Sequence, residues 1–264
     1  MIREKFDLSG KTAIITGAGS GLGRAMALAM AAAGADIVGA ARRREPLEES
    51  KAMVEEHGRR FTVITCDATD STAVNAMVAE AISEHGRIDI LINNAGGGGA
   101  GRGKTLPELT DEDWHLGMDT NLSSAFYCSR AIVPHYLDNG GGRIINITSG
   151  WGFRGGRGNF MYSIAKGGVI QLTKALAMTY ARDNILATCI APGAIPYQAA
   201  PEMQQQMGER QPIGRVGVAE EIGTMAVLLS SAASDYMTGE TVLVDGGAIA
   251  GGLIPAGIEP VVEG

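Results

Sequence analysis

Three side chains that could carry out a proton transfer lie close together in the sequence. Ser149 follows an apolar run, residues 143–148, that predicts a buried strand, and Tyr162 and Lys166 lie four residues apart in a long helical pattern. Residues with that spacing share one face of a helix. A free phenol has a pKa of about 10, and a neighbouring cation lowers that pKa. The three groups could therefore form a general acid–base site for a carbonyl–alcohol pair.

The Tyr162–Lys166 pair is a weak signal by itself. The chain has six tyrosines, and at average composition about one such chain in three would contain Tyr-x-x-x-Lys by chance. The pair therefore indicates a site only if the surrounding elements place it in one.

The composition limits the class of protein. The 264 residues, 45% hydrophobic and 19% charged, are typical of a globular chain with a sizeable core. A net charge of −7 argues against binding to nucleic acid or to anionic membranes. No apolar run has the roughly 18 residues of a membrane span, and the N-terminus has no signal-like segment. Cys66, Cys128 and Cys189 are too far apart for a metal motif or a disulfide framework. We expect a cytoplasmic protein that holds no metal.

Apolar strands and helical patterns alternate along the whole chain. Strands are predicted at about 11–16, 36–40, 61–65, 88–92, 143–148, 186–191 and 241–244. Helices are predicted at about 22–33, 46–57, 70–85, 110–137, 161–182 and 219–230. This alternation predicts a doubly wound α/β fold with a parallel sheet. We expect one catalytic domain over residues 1–264, with an irregular tail at 248–264.

A glycine-rich turn joins the first predicted strand to the first helix. Residues 16–23 read Thr-Gly-Ala-Gly-Ser-Gly-Leu-Gly. In doubly wound folds, the pyrophosphate of a dinucleotide binds at this position, on backbone N–H groups of the helix N-terminus. The spacing differs from the commoner Gly-x-Gly-x-x-Gly, so a tight packing turn is the alternative. The strand–turn–helix context favours cofactor binding.

The residues after the second strand predict which nicotinamide dinucleotide binds. An acidic residue there holds the ribose hydroxyls of NAD, whereas an arginine accommodates the extra phosphate of NADP. Here Ala41 is followed by Arg42, Arg43 and Arg44, without a carboxylate. Three cations before a helix N-terminus oppose the helix dipole, which favours a phosphate among them. A solvated basic turn is the alternative.

Polar residues also follow the third and fourth predicted strands. Asp67 and Ala68 end the third, and Asn93-Asn94-Ala95-Gly96 ends the fourth. Ligands of such sheets bind at the carboxyl ends of the strands. A lone aspartate is more often a cap, however, and the asparagine pair could form an ordinary turn.

Together these motifs resemble the short-chain dehydrogenase/reductase family over about residues 8–247. They occur in the family's order: Thr16-Gly17-x-x-x-Gly21-x-Gly23, Asn93-Asn94-Ala95-Gly96, Asn121, Ser149, Tyr162-x-x-x-Lys166 and Pro192-Gly193. Each motif is weak alone, but jointly they are highly specific. The resemblance implies a Rossmann fold with a seven-stranded parallel sheet and a nicotinamide cofactor. The nearest functional analogy is with 3-oxoacyl reductases and with sugar-acid or polyol dehydrogenases of this family.

The resemblance also implies roles for individual residues. Tyr162 would transfer the hydroxyl proton, Ser149 would hold the substrate oxygen, and Lys166 would hold the nicotinamide ribose and lower the pKa of Tyr162. Asn121 would fix a water molecule in the proton relay. The cofactor contacts that the resemblance implies, besides Tyr162 and Lys166, are Gly17, Ser20, Gly21, Leu22, Gly23, Arg42, Asp67, Ala68, Asn93, Ala95, Gly96, Ile147, Pro192, Gly193 and Ile195. The family's usual threonine after Pro192-Gly193 is absent.

Two segments are predicted to shape the substrate site. Residues 194–211 form a long connection at the ligand edge of the sheet, which predicts a lid with Met203 and Met207 on one face of a short helix. Arg154 and Arg157 lie among aromatic residues at 151–160. They suggest a substrate with an anionic or polyhydroxyl end, and solvated arginines are the alternative.

The sequence therefore predicts an oxidoreductase that transfers hydride between NADP(H) and a carbonyl or secondary alcohol, with Tyr162 as general acid–base. One alternative is an NAD-linked alcohol or polyol dehydrogenase. The other is a dinucleotide-binding regulator without catalysis, against which the set Asn121, Ser149, Tyr162 and Lys166 argues. The family habit of pairing two long helices between subunits predicts a homotetramer, or at least a dimer.

Overall fold

Seven parallel strands form one sheet in the order β3-β2-β1-β4-β5-β6-β7. The computed structural model describes residues 2–196 and 198–251. The strands are β1 (Thr12–Thr16), β2 (Asp36–Ala41), β3 (Phe61–Thr65), β4 (Ile90–Asn93), β5 (Gly142–Ile147), β6 (Ile185–Pro192) and β7 (Thr241–Val244). The prediction of a doubly wound, seven-stranded parallel sheet is confirmed. Its order reverses between β1 and β4, the switch point at which such sheets bind ligands.

Helices cover both faces of the sheet. They are α1 (Gly21–Ala32), α2 (Arg44–Glu55), α3 (Ser71–His85), α4 (Asp111–Met118), α5 (Ser124–Asp138), α6 (Phe160–Tyr180), α7 (Pro201–Gly208) and α8 (Ala219–Ser230). Two predicted caps are present. The Asp70 carboxylate accepts from the first turn of α3, and Thr110 and Asp113 form a reciprocal capping box on α4.

The predicted single helix over 110–137 is wrong, because a π-helical segment, Asp119–Ser123, separates α4 from α5. In this segment the backbone N–H of Ser124 bonds to the carbonyl of Asp119, one residue farther back than in an α-helix. The Asn121 side chain also donates to the Gly117 carbonyl, at 3.1 Å. Hydrophobic periodicity does not register such a local insertion, because the apolar pattern continues on both sides of it.

The core consists of two clusters, one on each face of the sheet. In β1, Ile15 packs with residues of α1, α2 and α8, whereas its neighbour Ile14 packs with residues of α3 and α5. All five residues of β1 are buried. The two covered faces explain why the strands read as continuous apolar runs rather than as alternating patterns.

The end of the chain is described only in part. Residues 248–251, the start of the predicted irregular tail, form turns, and residues 252–264 lie outside the described residues. Within the described ranges, we find no helix with the length and apolar character that crossing a bilayer would need.

A buried carboxylate joins the loop before β4 to β1. Asp89 accepts hydrogen bonds from the backbone N–H of Thr12 (3.1 Å), from Lys11 Nζ (3.1 Å) and from Arg87 Nε (2.8 Å). Burial of Asp89 opposes its ionisation, but these hydrogen bonds together outweigh burial and hold its pKa below the usual value. Asp89 therefore stabilises the fold as a carboxylate.

Replacing Asp89 with alanine is expected to lower the free energy of unfolding by about 2–4 kcal/mol, because a buried N–H and two cations lose their shared acceptor. The folded-state pKa lies below the unfolded one, so this contribution is present at neutral pH and is lost as pH falls through the folded pKa. Urea titrations at several pH values measure this contribution to the free energy of unfolding. The exposed Asp183 is the matched control, and Asp183→Ala should change stability by less than about 0.5 kcal/mol. Equal effects of the two variants would contradict the assignment.

Candidate active site

The carboxyl ends of the strands open into one cleft of about 830 Å³. The cleft extends from the ends of β2 and β3, across the switch point between β1 and β4, to the ends of β5 and β6. Most of the predicted site residues line it: Gly17, Ser20, Leu22, Arg42, Asp67, Ala68, Ala95, Gly96, Ile147, Ser149, Tyr162, Lys166, Pro192, Gly193 and Ile195. Residues that are up to about 180 positions apart in sequence thus share one surface.

Two hydrogen bonds fasten the start of α6 to the end of β5. Lys166 Nζ donates to the Ile147 carbonyl at 2.8 Å, and Thr148 Oγ1 donates to the Lys166 carbonyl at 2.6 Å. Tyr162 lies one turn earlier on α6, and its ring centroid is 5.7 Å from Lys166 Nζ. The helix therefore holds the phenol and the ammonium side by side above the strand end.

Ser149 lies in the same part of the cleft as Tyr162 and Lys166, but it is positioned by the end of β5 rather than by α6. It follows β5 in an extended conformation and caps the 3-10 turn Gly150–Gly152, where its Oγ accepts from the Trp151 N–H at 3.3 Å. Ser149 and Tyr162 both line the cleft, and Ser149 is close enough to the phenol to lower the pKa of Tyr162. One substrate oxygen can consequently contact both hydroxyl groups.

Burial controls the ionisation of this pair. It raises the pKa of Tyr162, and Ser149 offsets only part of that rise. Burial also lowers the pKa of Lys166 to about 8. The lowering of the Tyr162 pKa that we expected from Lys166 is not observed, because desolvation of the phenol dominates and the Nζ donates to a carbonyl instead. At neutral pH the phenol is therefore protonated.

Asn121 lies behind the cleft rather than on its surface. Its side chain is buried in the π-helical segment and forms two bonds with the Gly97 backbone, Nδ2 to the carbonyl at 2.8 Å and Oδ1 from the N–H at 3.0 Å. A Cβ at Gly96 would come within 2.9 Å of Asn121 Oδ1 and 3.3 Å of Lys166 Nζ. Asn121 thus fixes the loop after β4 against Lys166.

The turn before α1 fits a pyrophosphate. Ser20, the residue before the helix, makes no side-chain cap, so the first N–H groups of α1 have no side-chain acceptor from it. Gly17 and Gly21 have φ angles of +70° and +52°, which only glycine adopts readily. A Cβ at Gly23 would lie 2.1 Å from the Gly17 carbonyl oxygen. Gly21 and Gly23 do not line the cleft themselves but give the turn its shape.

The far end of the cleft is cationic. Arg42 and Arg43 are exposed and line it, whereas Arg44 forms an ion pair with Glu48 at 2.8 Å. Asp67, on the β3 side, accepts from the N–H and Oγ1 of Thr69 at 3.0 and 2.8 Å. The Thr69 backbone hydrogen bond contributes most to holding the pKa of Asp67 below its usual value. These residues fit the adenosine half of a dinucleotide.

Asn93 was predicted at the adenosine side, but the structure places its side chain inside the protein. Its Nδ2 donates to Asn146 Oδ1 at 2.8 Å and to Ser129 Oγ at 3.0 Å. Some residues that line the cleft were not singled out from the sequence: Thr69, Thr120, Ser124 and Thr148. Thr148 directly follows β5, and that position is the signal that could have identified it. Thr16, from the first motif, accepts from the Asn94 and Ala95 N–H groups, both at 3.0 Å.

Comparisons with known proteins agree with this geometry. A family model described as enoyl-(acyl carrier protein) reductase matches residues 17–248. The 2-dehydro-3-deoxy-D-gluconate 5-dehydrogenase of Dickeya dadantii (strain 3937) is 38% identical over 262 residues, 95% of this chain and 100% of that protein. The 3-oxoacyl-(acyl-carrier-protein) reductase of Thermotoga maritima is 32% identical over 246 residues, 92% of this chain and 99% of that protein.

A solved structure shows the same likeness. A 7α-hydroxysteroid dehydrogenase complexed with NADH and 7-oxo glycochenodeoxycholic acid superposes with a TM-score of 0.86 at 32% identity, covering 92% of this chain and 96% of that one. The predicted resemblance is confirmed. The chain belongs to the short-chain dehydrogenase/reductase family, the NAD(P)-dependent oxidoreductases that act on hydroxyl and keto groups.

Proposed function

We propose that this chain transfers hydride reversibly between NADP(H) and a carbonyl or secondary alcohol, with Tyr162 as general acid–base. The observation that carries the proposal is the meeting of the Ser149 hydroxyl, the Tyr162 phenol and the Lys166 ammonium at the end of β5. When bound, the nicotinamide supplies or accepts the hydride. The chain's own residues bind and orient the substrate and move the proton.

The proton moves through Tyr162. In reduction, the protonated phenol donates to the developing alkoxide, and in oxidation the phenolate accepts the proton of the alcohol. Ser149 donates a hydrogen bond to the same substrate oxygen, which fixes it beside the phenol. Lys166, held by the Ile147 carbonyl, would present its remaining N–H groups to the ribose hydroxyls of the bound cofactor. Asn121 positions the loop after β4 and, by the family analogy, orients a water molecule in the relay.

Polyhydroxy keto acids are the substrates to assay first. This choice rests on the relative named 2-dehydro-3-deoxy-D-gluconate 5-dehydrogenase, which is more similar to this chain than the 3-oxoacyl reductase. An absorbance screen of carbonyls and alcohols with both nicotinamide cofactors tests the proposal. We expect NADPH consumption with 5-keto-D-gluconate or a related keto acid. Dinucleotide binding without turnover of any compound would instead favour the non-catalytic regulator.

NADP is expected to bind more tightly than NAD, and Arg42 to carry much of the difference. Arg42→Ala should weaken NADPH binding by about 10- to 150-fold, the equivalent of an arginine–phosphate contact of about 1.5–3 kcal/mol, with little change for NADH. Fluorescence titration of both cofactors measures it. Arg44→Ala is the control, because Arg44 already pairs with Glu48. Equal affinity of the unmodified enzyme for NADPH and NADH would support the NAD-linked alternative.

We also propose a homotetramer. Trp114 on α4 and Phe126 on α5 are each 43% exposed, and Ile164 on α6 is 45% exposed. Arg130 covers part of Phe126, with 5.2 Å between the guanidinium carbon and the ring centroid. Val169, which also lies on α6, packs in the core instead. Light scattering at micromolar concentration should give a multiple of 27.4 kDa, and a particle of 27.4 kDa would rule out association.

A single catalytic domain in the cytoplasm is the simplest setting for this activity. One sheet and the helices packed on it form the cleft, and the three cysteines are free and buried, as is usual in a reducing compartment. Cell fractionation with an activity assay tests the location. Recovery of the activity in a membrane or periplasmic fraction would contradict it.

A further inference from the structure

The main-chain carbonyl of Lys166 is enclosed by the segment that carries Ser149. Thr148 Oγ1 donates to this carbonyl oxygen at 2.6 Å. On the other side of Ser149 in sequence, a Cβ at Gly152 would lie 2.8 Å from the same oxygen. Thr148 is 2% exposed and Lys166 is 4% exposed, so both contacts are shielded from water. Ser149 is therefore flanked by two residues that contact one backbone atom of α6.

The hydrogen bond from Thr148 adds to one that the helix already provides. Lys166 lies inside α6, where each carbonyl accepts the N–H group four residues later, and a carbonyl oxygen has two lone pairs. Removing the Thr148 hydroxyl therefore leaves no unpaired group on Lys166. What the hydroxyl adds is direction, because a hydrogen bond fixes the geometry of its two partners, whereas apolar packing is non-directional.

A second hydrogen bond holds α6 two helical turns farther along. Asn146, which precedes Thr148 by two residues and shares its face of β5, donates through Nδ2 to Thr173 Oγ1 at 2.8 Å. The Asn146 Oδ1 accepts from Asn93 Nδ2 at 2.8 Å, and this bond orients the amide. Asn146 and Thr173 are both fully buried. The two attachment points are about 10 Å apart along the helix, so they prevent α6 from pivoting as well as from sliding.

We propose that Thr148 and Gly152 are positioning residues for the proton transfer. They join the strand end that carries Ser149 to the helix that carries Tyr162, and they do so at a backbone atom that no side-chain rotation can displace. Groups that transfer a proton must be held within a fraction of an ångström, which is the task of such supporting contacts. This inference rests on the proposed function and deepens it, because it names residues that act through Ser149 and Tyr162 rather than on the substrate.

Thr148→Val removes the hydroxyl and keeps the branched shape of the side chain. We expect kcat to fall about tenfold with the fold intact, because a misplacement of about 1 Å costs on the order of 10²-fold and the Asn146–Thr173 bond limits the shift. Thr148→Ser restores the hydroxyl and should recover most of the lost turnover. Thr179→Val is the matched control, because Thr179 is exposed on α6 and its hydroxyl donates to the Ala175 carbonyl of the same helix at 2.7 Å. It should leave kcat unchanged.

Gly152→Ala disturbs the same contact from the other side of Ser149. The new methyl would lie 2.8 Å from the Lys166 carbonyl oxygen and 3.0 Å from Ile170 Cδ1, and the first of these atoms is backbone. The turn must move away from α6, so kcat should fall at least as far as in Thr148→Val. Gly155→Ala is the control, because a Cβ at Gly155 meets no atom within 4 Å and its φ is not positive. Steady-state assays with a substrate from the carbonyl and alcohol screen measure kcat.

The pH profile of alcohol oxidation separates positioning from a purely structural role. Ser149 lowers the pKa of Tyr162, and the Lys166 ammonium also lies beside the ring, with 5.7 Å between Nζ and the ring centroid. Moving Ser149 away from the phenol should raise that pKa, so the rise in rate should shift to higher pH in Thr148→Val and Gly152→Ala but not in the two controls. A loss of stability alone would reduce the amount of folded enzyme without moving the profile.

Crystal structures of the variants with NADP give a readout that needs no turnover. We expect a longer distance from Ser149 Oγ to the Tyr162 hydroxyl in Thr148→Val and in Gly152→Ala, and if one of the two does not fold, the other gives the same readouts. Folded variants with unchanged kcat, pH profile and distance would overturn the proposal and leave the proposed function in place. A longer distance in an enzyme that turns over no compound would support the positioning role and count against the proposed function alone.

Discussion

Tyr162→Phe is expected to lower turnover by about 10²–10⁴-fold while leaving the fold and NADP binding intact. The substitution removes one hydroxyl and keeps a ring that packs on α6 beside Lys166. No other group in the cleft is proposed to move the proton. Ser149 keeps its backbone hydrogen bond from Trp151, so the turn that carries it should not move.

Steady-state absorbance assays and cofactor titrations separate these effects. Tyr236→Phe is the control, because Tyr236 is fully exposed and should tolerate the change. A variant at Tyr162 with nearly unchanged activity would refute the mechanism. Burial raises the Tyr162 pKa, so its base form is scarce at neutral pH. Oxidation of an alcohol should therefore accelerate as pH rises into the alkaline range.

Gly23→Ala is expected to weaken NADP binding and to lower turnover on the order of 10²-fold, because misplacing bound reactants by about 1 Å can reduce the rate that much. The new methyl would lie 2.1 Å from the Gly17 carbonyl oxygen and 2.7 Å from Asn94 Nδ2. The first of these atoms is backbone and cannot rotate away. The turn must open, and the N–H groups at the start of α1 then lose their arrangement.

Gly99→Ala provides the comparison for this substitution. A Cβ at Gly99 meets no atom within 4 Å, and its φ is not positive, so alanine should fit there. Titration of each variant with NADPH, together with a thermal melt, distinguishes a lost site from a lost fold. Unchanged NADPH affinity in Gly23→Ala would show that the turn does not contact the pyrophosphate.

The sequence by itself determined the doubly wound sheet and the edge at which ligands bind. Fully covered parallel strands must be apolar throughout, and helical crossovers must separate them, so both features appear as local patterns. The carboxyl ends of parallel strands meet at one edge, so polar residues after each strand could be assigned to one cleft without coordinates. The four-residue spacing of Tyr162 and Lys166 in a helical pattern was enough to predict that their side chains lie side by side.

The tertiary structure alone decided which way individual side chains face and how strongly water is excluded from them. Asn93 and Asn94 are adjacent in sequence, yet one bonds inside the sheet and the other lines the cleft, because successive strand residues face opposite sides. The pKa of Tyr162 depends on burial by segments far away in sequence, and the hydrogen bond between Asn93 and Asn146 joins residues 53 positions apart. Desolvation and long-range pairing are properties of the packed chain, so no local pattern encodes them.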